Sequence, residues 1–135
     1  MTSKNIDSFI IDIVNTQTID NQSEKICTTS HCSFRLAGDK SYIVYKDGDC
    51  TSMIKTEGYN VFIKRSGSSG YEMYCKKNSY TDFEYNTPYG TIKMRVFTNS
   101  VKCLLNPDGG SIYLNYLLET GGDKIYNNME INIRR

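Results

Sequence analysis

Residues 111–134 read SIYLNYLLETGGDKIYNNMEINIR. Ile112, Leu114, Tyr116 and Leu118 recur every second residue, which puts them on one face of an extended chain. Beyond the turn signal Thr120-Gly121-Gly122-Asp123, Ile125, Met129, Ile131 and Ile133 stand against Asn128, Glu130, Asn132 and Arg134. The first run has a helical alternative, with Ser111 as its cap and Gly121 as its stop. Its length favours a strand. Two such strands around a Gly-Gly turn form an antiparallel hairpin with one face for a core and one for water.

The same pattern recurs elsewhere. In the run from Thr91, Ile92, Met94 and Val96 share a face opposite Lys93 and Arg95. Turn signals at Gly38-Asp39, Asp47-Gly48-Asp49, Glu57-Gly58, Ser66–Gly70, Lys77–Ser79, Thr87–Gly90, Asn99-Ser100 and Asn106–Gly110 divide the chain at short intervals. They predict eleven runs, near 6–18, 24–35, 41–46, 51–57, 60–66, 70–76, 80–86, 90–98, 101–105, 111–119 and 124–134. The connections are too short for parallel crossovers, so consecutive strands pair as antiparallel hairpins. A meander of this length removes its exposed edges best by curling into a closed β-barrel. Composition agrees: 14 Ile, 5 Val, 12 Thr, 11 Tyr and 5 Phe make 47 of 135 residues, against the single alanine Ala37. That balance suits a pleated surface and argues against an all-helical fold. The expectation is one all-β domain over residues 1–135.

Several function classes are disfavoured. Sixteen Lys and Arg against fifteen Asp and Glu give a net charge of +1, so no field over the whole molecule marks nucleic acid or an anionic membrane as partner. No apolar stretch approaches the roughly 20 residues of a membrane helix. The run from Ile6 to Val14 is broken by Asp7 and Asp12, unlike a signal peptide. Cys27, Cys32, Cys50, Cys75 and Cys103 are odd in number and form no Cys-x-x-Cys pair. Cys27 and Cys32, an odd distance apart, face opposite ways on a strand. The five read as buried or half-buried reduced thiols, and the chain as cytoplasmic.

Chemistry is sparsely supplied. His31 is the one histidine, which excludes a multi-histidine metal site and leaves a surface position as its default. Asp82 and Glu84 share a strand face at a spacing suggestive of paired carboxylates, but Thr81, Phe83 and Tyr85 opposite them are the better interior set. Asp47-Gly48-Asp49 lacks the further ligands of a calcium loop and reads as a hairpin turn. Ser66–Gly70 lacks the lysine and helix of a phosphate loop and reads as a flexible connection. No catalytic residue, metal or cofactor is expected, and no enzyme.

Two binding patterns stand out. Tyr71, Tyr74, Lys76 and Lys77, and separately Lys93, Arg95 and Phe97, interleave rings with cations as a single-stranded nucleic-acid surface does. Counting by two from Val61 and Ile63 places Arg65 on an apolar face, where an unpaired cation is costly. Thr98 and Tyr116 are also polar groups on apolar-face patterns. Arg65, Thr98 and Tyr116 together form a candidate anchor for the polar head of a small ligand inside the barrel.

Lys64-Arg65-Ser66-Gly67, Tyr85-Asn86-Thr87-Pro88-Tyr89-Gly90, Gly110–Tyr116 and Asn128-Met129-Glu130-Ile131 follow in an order and spacing that resembles the YwiB-like family of uncharacterised Firmicute proteins. The resemblance covers nearly the whole chain. It implies a closed antiparallel meander β-barrel, calycin-like or lipocalin-like. It implies no activity, and so no catalytic residue. Barrels of that kind hold apolar molecules, which points by fold alone to a non-enzymatic binding module for a small apolar or amphipathic ligand. The alternatives are a side-chain-filled barrel serving as a structural or protein-interaction module, with a homodimer as one form of it, and a weak single-stranded nucleic-acid binder. A small apolar ligand or a second copy of the chain are the expected partners. A membrane is not, and nucleic acid is the least favoured.

Overall fold

The computed structural model describes residues 9–135; the start of the first run at Ile6 lies outside them. Ten strands follow one another: β1 (Phe9–Ile19), β2 (Gln22–Ala37), β3 (Lys40–Asp47), β4 (Cys50–Glu57), β5 (Asn60–Ser66), β6 (Tyr71–Lys76), β7 (Tyr80–Thr87), β8 (Gly90–Asn106), β9 (Gly109–Thr120) and β10 (Asp123–Arg134). All pair antiparallel in one sheet of order β6-β5-β4-β3-β2-β1-β10-β9-β8-β7. The hairpin read from residues 111–134 is β9–β10, with Ile112 opposite Ile131 and Leu114 opposite Met129. The helical alternative for Ser111–Leu118 is thereby excluded.

The eleven expected runs are ten strands because 90–98 and 101–105 are one. Asn99-Ser100 is a bulge inside β8 and makes no turn: the register against β9 shifts between Thr98 and Ser100. Asn99 sits out of the ladder and donates its side-chain amide to Asn115 Oδ1 at 3.0 Å. The extra residue also switches the inward set from Val96 and Thr98 to Val101 and Cys103, a parity a two-residue turn would not need.

The outermost strands of the sheet, β6 and β7, meet and close the barrel. They do so without a regular ladder. Gly70 and Asn86 exchange backbone hydrogen bonds of 2.9 and 2.8 Å, and Thr81 Oγ1 donates to the Tyr74 carbonyl. Rings supplement this seam, with Tyr71 5.9 Å from Phe83 and 5.6 Å from Tyr85 between centroids.

Inward side chains from all ten strands make one core. Ile11, Ile43, Val61, Val96, Ile112 and Ile131 are fully enclosed in it, and Phe9 meets Phe34 edge to face at 5.2 Å. Each such aliphatic side chain contributes about 1.5–3 kcal/mol on burial. The connections β1–β2, β3–β4, β5–β6, β7–β8 and β9–β10 all lie at one rim, since antiparallel strands return to it in turn. That rim carries the candidate site.

Candidate functional site

Arg65 lies within β5 and on its inward face, as the count from Val61 and Ile63 predicts. It is only 24% exposed and pairs with Asp47 Oδ2 at 3.3 Å, from the end of β3. It is therefore a paired cation within the strand and not one beyond its end, free in water. Burial works against the Arg65 charge, but Cys50 and Asp47 beside it outweigh burial and strengthen it.

A packed shelf lies next to this pair. The Ser66–Gly70 connection, expected to be flexible, is tied down on the β3–β4 turn. Ser68 Oγ donates to Asp49 Oδ1 at 3.1 Å, and the Cys50 thiol lies 3.5 Å from the same carboxylate and 3.7 Å from the Ser69 carbonyl. Gly67 permits this approach. A Cβ there would stand 2.9 Å from Cys50 Sγ, on a backbone at φ +137°. A hydrogen bond with the Ser69 backbone, then Ser68 and the charge of Arg65, lower the Cys50 thiol below its ordinary range.

Inward from Arg65 come tyrosines. Burial pushes the Tyr71 hydroxyl up to about 12, with Arg65 opposing. Burial likewise raises Tyr45, while a hydrogen bond with Ser52 and the charge of Arg65 pull it back. Tyr116 is deeper still, almost wholly enclosed and raised by burial first, then by Cys75, Tyr71 and Tyr45. Thr98 is fully buried at the bulge; its Oγ1 makes no hydrogen bond of normal geometry, although it faces the Cys75 thiol. The three residues predicted from sequence thus share the interior, Thr98 and Tyr116 directly opposite each other on β8 and β9 and Arg65 on β5. Arg65 holds the rim, Tyr116 and Thr98 the floor, with Tyr45 and Tyr71 as the polar links between. None of four surface clefts, of about 690, 380, 500 and 390 Å³, is lined by any of the three.

Thr98→Val is expected to raise stability by about 1 kcal/mol, because it removes a buried hydroxyl that lacks a proper partner and keeps the shape of the side chain. Urea unfolding measures this. A loss of stability would show that the hydroxyl is satisfied by a group such as a bound water.

Other expectations meet mixed outcomes. Asp82 and Glu84 are solvent-facing, with Asp82 held 2.9 Å from Arg95, while Phe83 and Tyr85 turn inward. His31 is exposed on β2, and Asp47-Gly48-Asp49 is the β3–β4 turn. Cys27 and Cys32 face opposite ways, but Cys27 is exposed and so departs from the expected buried set. Burial pushes Cys32 and Cys75 up to about 11. Tyr71 cannot serve an outer ring platform, because its parity on β6 turns it into the barrel beside Met73 and Cys75. Sequence reasoning missed a second interior network. Asn127 Oδ1 accepts from Asn15 Nδ2 and Gln17 Nε2, each at 3.1 Å, while Asn127 Nδ2 donates to the Ile125 carbonyl. The signal was available: Asn15 and Gln17 continue the inward parity of Ile11 and Ile13, and Asn127 that of Ile131 and Met129.

Among the described residues there is no group of three or more His, Cys, Asp or Glu placed to hold a metal, and no helix long and apolar enough to cross a membrane. The crystal structure of YwiB protein from Bacillus subtilis superposes with a TM-score of 0.85 at 19% identity, over 93% of this chain and 89% of that one. That likeness concerns the fold and bears out the YwiB-like resemblance read from the landmarks. No curated protein matches the sequence. Residues 11–133, from the first buried isoleucine of β1 to the last of β10, match the family described as a domain of unknown function (DUF1934), and the chain belongs to that family.

Proposed function

We propose that this barrel is a non-enzymatic binding module whose rim takes a small amphipathic molecule with an anionic head. One observation carries the reading: Arg65 points inward at the rim, partly desolvated, with a single 3.3 Å carboxylate contact and two tyrosines beneath it. A carboxylate or phosphate head would replace Asp47 on the guanidinium, which suits planar two-point recognition of such groups. The half-buried Tyr45, Tyr71, Phe83 and Leu118 would cover its apolar tail. Tyr116 and Thr98 would then close the floor instead of holding the head. The five free cysteines, two of them held protonated by burial, fit a reducing compartment such as the cytoplasm.

Native mass spectrometry of freshly purified protein, followed by thermal shifts against a panel of fatty acids and acyl phosphates, tests this. An adduct or a rise in Tm is expected. Arg65→Gln abolishes it, and Asp47→Asn strengthens it by removing the competing carboxylate. A wild-type protein that stays unshifted across the panel, or an Arg65→Gln variant that binds as well, overturns the reading. A dimer without adduct favours the protein-interaction alternative.

A further inference from the structure

The outer face of β2–β6 carries a row of side chains that the strand register lines up. Arg35 on β2 is opposite Tyr42 on β3, Tyr42 opposite Lys55 on β4, Lys55 opposite Phe62 on β5, and Phe62 opposite Tyr74 on β6. Cation and ring alternate across four strands and end in a pair of rings. At about 4.8 Å between strands, the row spans about 19 Å.

The contacts make it a continuous surface. Arg35 and Lys55 lie 5.2 and 5.8 Å from the Tyr42 ring centroid, Phe62 and Tyr74 are 4.3 Å apart at 32°, and Lys76 lies 6.0 Å from Tyr74. A cleft of about 500 Å³ opens between Tyr42, Lys55, Phe62, Tyr74 and Lys76. The charge is one-sided. With Arg35, the outward positions of β3–β6 hold Lys40, Lys46, Lys55, Lys64 and Lys76 against only Glu57 and Glu72, in a chain whose net charge is +1. Glu57 and Glu72 are paired with Lys40 and Lys64 at 3.4 and 3.9 Å, which leaves Arg35, Lys46, Lys55 and Lys76 as the cations that attract a polyanion to this face.

The geometry points to this face as a site for single-stranded nucleic acid, its bases stacking on Phe62, Tyr74 and Tyr42 and its phosphates meeting Arg35, Lys55 and Lys76. Rings on β3, β5 and β6 with cations on β2 and β4 beside them match a strand that offers both bases and phosphates. An acidic protein would use the charge but leave the stacked rings without a counterpart. The site is separate from the rim, because Arg65 is on the inward face of β5 and Phe62 on the outward one.

Fluorescence anisotropy with labelled oligouridylate and oligothymidylate of about 12 nucleotides tests the proposal. Wild type binds at about 50 mM salt and weakens steeply by about 200 mM. Tyr74→Ala weakens binding about tenfold, and Tyr74→Phe restores it. Tyr74 is 52% exposed, so its removal leaves the core intact. Lys55→Glu weakens binding and flattens the salt slope, whereas Arg65→Gln leaves it unchanged and so separates this site from the rim. The inference is overturned by absence of binding at low salt, by unchanged affinity in Tyr74→Ala and Lys55→Glu, or by displacement with polyglutamate or anionic vesicles as efficient as with unlabelled oligonucleotide.

Discussion

Gly110→Ala lowers the stability of the barrel by about 3–4 kcal/mol, read as a lower urea midpoint at unchanged slope. Gly110, the second residue of β9, lies between two neighbours, opposite Leu105 on β8 and Ile133 on β10. A Cβ there would stand 2.0 Å from the Leu104 carbonyl oxygen, and the backbone is at φ +136°. Both the carbonyl and the strand that carries it must move, and the conformation itself is strained for an L-residue. Gly121→Ala is the control. It also has a positive φ, +54°, but nothing lies within 4 Å of the added atom, so only about 1 kcal/mol is expected. Equal losses at the two glycines would show that backbone conformation, and not strand contact, sets the cost.

Asn127→Ala is expected to cost about 2–4 kcal/mol. The residue is 1% exposed, and its carbonyl oxygen serves both Asn15 and Gln17. Truncation leaves the buried Asn15 amide without its acceptor and opens a void beside it. The Asn15 carbonyl oxygen already lacks a partner, so this network has no reserve. Replacing both buried ends, Asn15→Leu with Asn127→Leu, removes the buried polar demand and leaves only the part-buried Gln17 amide to find water, so it is expected to be closer to neutral. Chemical unfolding of the two variants beside wild type decides the point. A double variant as unstable as Asn127→Ala would show that the site needs its asparagines for shape.

Most of the architecture was legible because strand and turn are local. Alternation along β9 and β10 and the regular turn signals need no knowledge of the rest of the chain, and they yield hairpins directly. What failed was parity across an irregularity. Asn99-Ser100 has the composition of a turn, and only the register with β9 reveals a bulge. Tyr71 follows Gly70 and looks like a partner for Tyr74, yet an odd separation on β6 sends the two rings to opposite sides of the wall. The candidate site was half legible for the same reason. Arg65 could be placed inward by counting from Val61. Its partner Asp47 sits two strands away, and the Arg35-to-Tyr74 row exists only across five strands, so neither follows from spacing along the chain.

The barrel wall can be compared with a bracelet and its clasp. Nine of its joints are full ladders, including β1–β10, which unites residues more than a hundred positions apart through nine residue pairs. The tenth, β6–β7, is fastened by the Gly70–Asn86 exchange, one threonine hydroxyl and the rings of Tyr71, Phe83 and Tyr85. Opening it breaks no ladder, leaves the remaining sheet continuous and involves strands adjacent in sequence, so reclosing costs little chain entropy. Local opening is therefore expected to begin along this one line of the wall, at the end beside Arg65, since its other end is held by backbone hydrogen bonds of Asn78 and Ser79 with Thr98.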